Sequence, residues 1–291
     1  MNETSGRRPG SSADPATAPD LFTFEADGGP LVYRDTGDPE QSCGRPPVVL
    51  LHGGFLDHRM WDDQVPALAR HHRVIAPDAR GHGGSALAHG PYRPADDVAA
   101  LLRHLGTGPA ALVGVSMGGA TAVDTALEHP DLVRGLVVSG VGTSEPVWRD
   151  PWILDIQAEQ MRAMGAGDPG AWIEAFLQFL PGPHRSLYEV DPEVVRRVRE
   201  MTVRTVSRHS ADEVPQLVPV TDTWARAAAL AVPVFALNGA LDSTDHQGMA
   251  QRLADSVADG STAEVAGTGH YPNMERPEVF NVLLEDFLRS L

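Results

Sequence analysis

Three residues have the types that nucleophilic acyl transfer needs: Ser116, Asp242 and His270. Ser116 is the centre of Gly114-Val115-Ser116-Met117-Gly118, a G-x-S-x-G pattern within LVGVSMGGA. An apolar run stops there and helical spacing begins, so the serine falls on a sharp strand-to-helix turn that can present its Oγ. Asp242 ends NGALD, just after the apolar run VPVFAL, where a carboxylate can orient an imidazole and stabilise its protonated form. Asp245, three residues on, is the alternative acid. His270 lies in GTGHYP, between the last strand pattern and the last helix pattern, and can take the serine proton and return it to a leaving group. With 12 histidines in the chain, one histidine proves little by itself. His82, in RGHGGS, is the main competitor; His71 and His72 read as surface residues.

Acyl transfer also needs two N–H donors aimed at the developing oxyanion. The Met117 N–H opens the helix after the serine, and the Gly54 N–H lies in LHGGF directly after the run PVVLL. Phe55 would line the entrance, and His52 is read as a structural hydrogen-bonding residue.

These loops need a scaffold, and the periodicity supplies one. PVVLL, RVIAP, AALVGV, RGLVVS, VPVFAL and TAEVAG are apolar runs suited to strands buried on both faces. PADDVAALLRHLG, MGGATAVDTALEH, HQGMAQRLADSV and PEVFNVLLEDFLRSL read as helices, and MWDDQVPALARH as a looser one. Alternating strands and helices predict an α/β fold, with a mostly parallel central sheet and helices on both faces. Residues 143–225 break the alternation with helical stretches only, including one before Trp224. They are expected to form a helical cap inserted between core segments 21–142 and 226–291. The cap carries Trp148, Trp152, Trp172, Phe176 and Phe179, which serve a small core of its own or an apolar substrate surface.

Composition narrows the partners. A formal net charge of −16 disfavours nucleic acid and anionic membranes. Residues 1–20 lack the apolar segment of a signal peptide and read as a disordered tail. The single cysteine, Cys43, falls in a polar loop and forms no intrachain disulfide. The expectation is a cytoplasmic monomer or homodimer. Gly106-Thr107-Gly108 with Ala111 loosely matches a dinucleotide fingerprint, but it precedes a strand instead of following one, so it is rejected. No Walker A, HExxH or paired CxxC pattern occurs, and neither a cofactor nor a metal is expected.

Together HGG, DARGHGGS, GVSMGG, NGALD and GTGHYPNMERPEVF resemble the loops of α/β-hydrolase fold proteins, in the esterase, lactonase and perhydrolase-like group. The resemblance runs from about residue 21 to the end and is weakest in 143–225. It implies the α/β-hydrolase fold, a variable helical cap, and scaffolding roles for Asp78 and Arg80. The activity it implies is cofactor-independent cleavage of a small carboxylic ester or lactone, apolar or aromatic, through an acyl-enzyme. Two alternatives stay open: C–C cleavage of a β-diketone by the same triad, and a non-catalytic ligand-binding protein of the same fold.

Overall fold

The computed structural model describes residues 21–39, 44–210, 213–214 and 216–291. The expected tail, 1–20, and Cys43 lie outside these residues. Eight strands form one sheet among them: β1 (Leu21–Ala26), β2 (Gly29–Asp35), β3 (Val48–Leu51), β4 (Val74–Pro77), β5 (Ala110–Val115), β6 (Val133–Ser139), β7 (Val234–Gly239) and β8 (Gly260–Val265). Their spatial order is β1-β2-β4-β3-β5-β6-β7-β8. β1–β2 and β2–β4 pair antiparallel, and every later pair is parallel.

The continuous apolar runs follow from burial on both faces. Val48 and Leu50 of β3 enter one hydrophobic core while Val49 and Leu51 enter the other. β5 divides in the same way, with Ala111, Val113 and Val115 on one face and Ala110 and Leu112 on the opposite face. Such strands cannot alternate apolar with polar, because neither face meets water.

The helices are α1 (Val65–Leu68), α2 (Pro94–Leu105), α3 (Met117–Glu128), α4 (Pro151–Ala166), α5 (Pro169–Leu177), α6 (Pro192–Val206), α7 (Thr223–Ala227), α8 (Thr244–Ser256), α9 (Pro272–Glu275) and α10 (Pro277–Ser290). α2, α3, α7 and α8 pack on one face of the sheet, and α1, α9 and α10 on the other. α2 follows its sequence signals: Asp96 and Asp97 occupy the first turn, where the helix dipole favours negative charge, and Gly106 closes it in the left-handed conformation. The looser pattern after Met60 splits into the 3-10 turn His58–Trp61 and the short α1.

Residues between β6 and β7 carry α4, α5 and α6. Their apolar side chains do not form a separate core. Ile173, Phe176, Leu177, Val194, Val198 and Met201 join the core that also holds Val48, Leu50 and Phe280. Arginines fasten this segment at its edges. Arg208 donates to the carbonyls of His82 and Gly83 at 3.0 and 2.6 Å. Arg197 reaches Asp63 at 2.7 Å. The stretch before Trp224 departs from expectation. Residues 216–222 are not helical, Leu217 bridges to Tyr92, and the helix begins only at Thr223, where Glu145 accepts the Thr223 N–H and hydroxyl. No helix among the described residues is long and apolar enough to cross a membrane.

Candidate active site

The turn at Ser116 is imposed by close backbone approach. A Cβ on Gly118 would lie 2.0 Å from the Leu51 carbonyl oxygen, and one on Gly114 would lie 2.2 Å from the Gly118 oxygen. Neither position admits a side chain, so the two glycines let β5, α3 and the end of β3 meet. Between them Ser116 adopts φ 55° and ψ −119°, a conformation that costs a non-glycine residue about 1–3 kcal/mol. The Ser116 N–H is used by the sheet, donating to the Ser139 carbonyl at 2.7 Å.

The Met117 N–H begins α3, and the Gly54 N–H belongs to a tight turn closed by Leu56 N–H donating to the Gly53 carbonyl at 3.2 Å. Neither has an acceptor among the described residues. A Cβ built on Gly54 would touch Met117 Cβ at 3.8 Å, so the two loops are in contact. Phe55, next in the turn, has φ 61° and is half-buried.

Asp242 and His270 meet as an ion-pair geometry at the carboxyl ends of β7 and β8. His270 Nδ1 donates to Asp242 Oδ2 at 2.8 Å, and both residues are buried. A carboxylate only accepts, so the hydrogen sits on Nδ1 and Nε2 is bare. One glycine measures how near this pair is to the serine turn. A Cβ on Gly140 would lie 3.0 Å from His270 Cε1 and 3.6 Å from Ser116 Cα. Asn238 Oδ1 accepts the Gly140 N–H at 2.9 Å and holds that spacer in place. Glu275 holds the loop of the histidine: its Oε1 accepts the Gly269 N–H at 2.7 Å and it pairs with Arg185.

Burial pushes the His270 imidazole below its ordinary value; Asp242 pulls upward and the neighbouring His246 adds to the lowering. Burial alone would raise the Asp242 carboxyl, but the charges and hydrogen bonds of His246 and His270 outweigh it and hold it well below the usual carboxylate range. The pair is therefore a carboxylate beside a neutral imidazole.

The other expected residues separate. Asp245 accepts the backbone N–H groups of Arg149 and Asp150 at 2.6 and 2.7 Å and ties down the start of the inserted segment. His82 stacks near His52 and Phe55, and burial pushes its imidazole down to about 3. His52 donates to the Gly53 carbonyl and accepts the Ala79 N–H, a fully used ring. His72 is a correction. It is 2% exposed, with its Nδ1 donating to the Pro46 carbonyl, because the residues entering β4 lie beside those entering β3 in the middle of the sheet. Asp78 accepts from His58 and Gly84, and Arg80 forms a two-point pair with Asp97.

The aromatic residues of the inserted segment form a chain of contacts reaching the histidine. Phe55 meets Trp172 at 4.4 Å and Phe176 at 5.6 Å between ring centroids. Phe176 meets Phe179 at 6.0 Å, and Phe179 in turn lies 6.0 Å from His270. Trp152 packs edge-on against Phe179, and Trp148 edge-on against His246. Phe55, Trp172, Ile173, Met164, Val203 and Val206 line an open cleft of about 500 Å³. A smaller enclosed cavity of about 60 Å³ borders Met117, Gly118, His82 and Leu217.

Two side-chain groups have metal-ligand spacing among the described residues: Asp242, His246 and His270, and Asp57, His58 and Asp78. In both, imidazole Nδ1–H groups donate to the carboxylate oxygens, so hydrogen bonds already use those atoms. Sequence reasoning missed His246, Asn238 and Glu275. The signal for His246 was its place four residues after Asp242, in the first turn of a helix capped by Ser243.

Residues 48–282 match the model of the alpha/beta hydrolase family. The chain is 28% identical over 252 residues to 3-oxoadipate enol-lactonase 2 of Acinetobacter baylyi, covering 84% of this chain and 89% of the relative. It is 30% identical over 267 residues to pimeloyl-[acyl-carrier protein] methyl ester esterase of Aromatoleum aromaticum, covering 84% and 99%. The crystal structure of the enol-lactonase from Burkholderia xenovorans superposes with a TM-score of 0.74 at 27% identity, over 92% of this chain and all of that one, 100%.

Proposed function

We propose a function for a chain that belongs to the alpha/beta hydrolase family: hydrolysis of a small carboxylic ester or lactone through an acyl-enzyme on Ser116. The observation that carries it is the buried Asp242–His270 hydrogen bond at 2.8 Å, facing a strained serine turn across Gly140. Relatives bearing esterase and enol-lactonase names support the same chemistry.

In this reading the bare Nε2 of His270 takes the Ser116 proton as Oγ attacks the carbonyl carbon. The Gly54 and Met117 N–H groups, free of other acceptors, receive the oxyanion of the tetrahedral intermediate. Asp242 stays ionised and stabilises the imidazolium that forms. Collapse of the intermediate breaks the acyl–oxygen bond, and His270 returns the proton to the leaving alkoxide. Water then gives its proton to His270 and attacks the acyl carbon; as the Ser116 Oγ–acyl bond breaks, His270 returns the proton to Oγ and the acid leaves. For a lactone, alcohol and acid leave as one molecule. Residues 143–225 act as the cap, with Phe55, Trp172 and Phe176 meeting the apolar part of the substrate and Trp148 and Trp152 behind them.

The test is Ser116→Ala with p-nitrophenyl esters and a serine-directed fluorophosphonate. Turnover falls about 10³–10⁶-fold and labelling disappears, while the melting temperature stays nearly unchanged because only a hydroxyl is removed. Unchanged turnover overturns the reading. Faster turnover of ring-cleavage diketones than of any ester would assign the triad to C–C cleavage instead.

A further inference from the structure

Asp242 serves two imidazoles, and the mechanism above uses one. Its Oδ2 accepts from His270 Nδ1 at 2.8 Å, while its Oδ1 accepts from His246 Nδ1 at 2.9 Å and from the Ser243 backbone N–H at 2.7 Å. His246 is 3% exposed. Its ring lies almost parallel to that of His270, with centroids 4.1 Å apart and an interplanar angle of 24°. The edge of Trp148 closes one side at 5.2 Å, and Phe179 packs against both histidines at 6.1 and 6.0 Å.

We propose that His246 is a positioning residue for the base: it clamps the second oxygen of Asp242, and its ring, stacked on His270, keeps a second positive charge out of the site. The proposal rests on Asp242 and His270 being the acid and base of the hydrolysis described above.

Two physical effects follow from the geometry. A carboxylate held at one oxygen can swing about its Cβ–Cγ bond. Donors at Oδ1 from both His246 and Ser243 fix the carboxylate plane, so that Oδ2 stays on His270. The second effect is electrostatic. Two imidazolium rings in contact repel strongly in a buried site, and a single carboxylate cannot neutralise both. Protonation of His270 is therefore disfavoured by the ring stacked on it. His270 is kept in its neutral, base-competent form to lower pH, in line with the downward push that His246 exerts on it. The groups facing the pair from the packed elements are few. Asp242 comes from the end of β7, and Tyr271 comes from the loop of His270. The inserted segment contributes only the uncharged rings of Trp148 and Phe179, and the Asp245 carboxylate is engaged by the Arg149 and Asp150 backbone.

His246→Phe keeps a stacked ring but removes both the Nδ1 donor and the electrostatic push on His270. Expected is a fall in kcat of about tenfold to a hundredfold with KM nearly constant, and an acidic limb of kcat/KM moved upward by about one pH unit. His246→Asn restores a donor to Oδ1 without a charge, so it recovers most of kcat while the limb stays high. A merely structural role would reduce the yield of folded enzyme and leave the limb in place. If His246→Phe does not fold, His246→Asn carries the same comparison of limbs.

An arm that needs no turnover uses the Ser116→Ala chain and follows the His270 imidazole by NMR across pH, with and without the His246 substitution. An upward-shifted midpoint supports the coupling; an unchanged or lowered midpoint overturns it, whatever the esterase assay shows. The shift without esterase activity in the parent chain would overturn the hydrolase reading and leave the coupling standing.

Discussion

Two buried aspartate–histidine pairs stand at strand ends of this sheet, built from the same residue types and set to opposite electrostatic states. At the end of β4, Asp78 Oδ1 accepts from both the ring and the backbone of His58 at 2.8 Å, and Oδ2 accepts from Gly84. At the end of β7, Asp242 accepts from His270 and His246. Burial pushes both histidines downward. For His58 it is outweighed by the hydrogen bond and charge of Asp78, with Asp57 and Asp62 adding negative charge, so its imidazole ends above its ordinary value. For His270 the further neighbour is another imidazole, and burial prevails. A histidine among several carboxylates has its protonated form favoured, and the pair serves as a rivet. A histidine sharing one carboxylate with a second imidazole stays neutral, and a neutral imidazole is a base. What separates rivet from base is the balance of burial against surrounding charge, to which the further residues of each cluster contribute.

The sharpest way to break this comparison is to make the same substitution in both clusters. Asp242→Asn is expected to lower the kcat of the folded fraction by about 10³–10⁴-fold, because the imidazole loses its orientation and counter-charge. Asp78→Asn is expected to leave the kcat of the folded fraction nearly intact. It costs about 3–5 kcal/mol of stability in urea titration, since it strands a buried partner. Comparable kcat losses in the two variants would abolish the distinction.

pH should move the two clusters in opposite directions. His58 is raised in the folded state, so its stabilising contribution is complete below the ordinary imidazole value of about 6.5 and is lost as pH rises through the folded value. The expected slope is at most about 1.4 kcal/mol per pH unit, and His58→Gln should remove it. His270 is lowered, so kcat/KM should stay level through neutral pH and fall only below about 6.5, as the base takes up a proton. A pH–rate profile whose acidic limb lies above about 7 would contradict the neutral-base assignment.

The smallest expected effect concerns the loop that carries His270, the proposed base. Arg185→Met leaves Glu275 on the Gly269 N–H but removes the tie to the inserted segment. A loss of about 1 kcal/mol in stability and a fall in kcat of less than tenfold are expected. A larger drop in kcat than in Asp242→Asn would mean that closure of the inserted segment, not the acid, controls the base.

The sequence by itself determined the alternating strands and helices, the glycine-flanked serine turn, and the order of Ser116, Asp242 and His270. These are local properties. A run buried on both faces must be apolar throughout, and Gly114 is required by a contact four residues on, with Gly118. Only the tertiary structure decided which histidines are buried and what charge each carries. His72 and His246 look unremarkable in the chain, yet both are about 97–98% covered in the fold. It also joined Trp172, Phe176 and Phe179 to the main core and brought Phe179 against His270. The reason is physical: imidazole protonation and side-chain burial are set by neighbours in space. For His270 and Asp242 those neighbours come from the strand before α8, from the first turn of α8, and from a segment about 60 to 120 residues earlier in the chain.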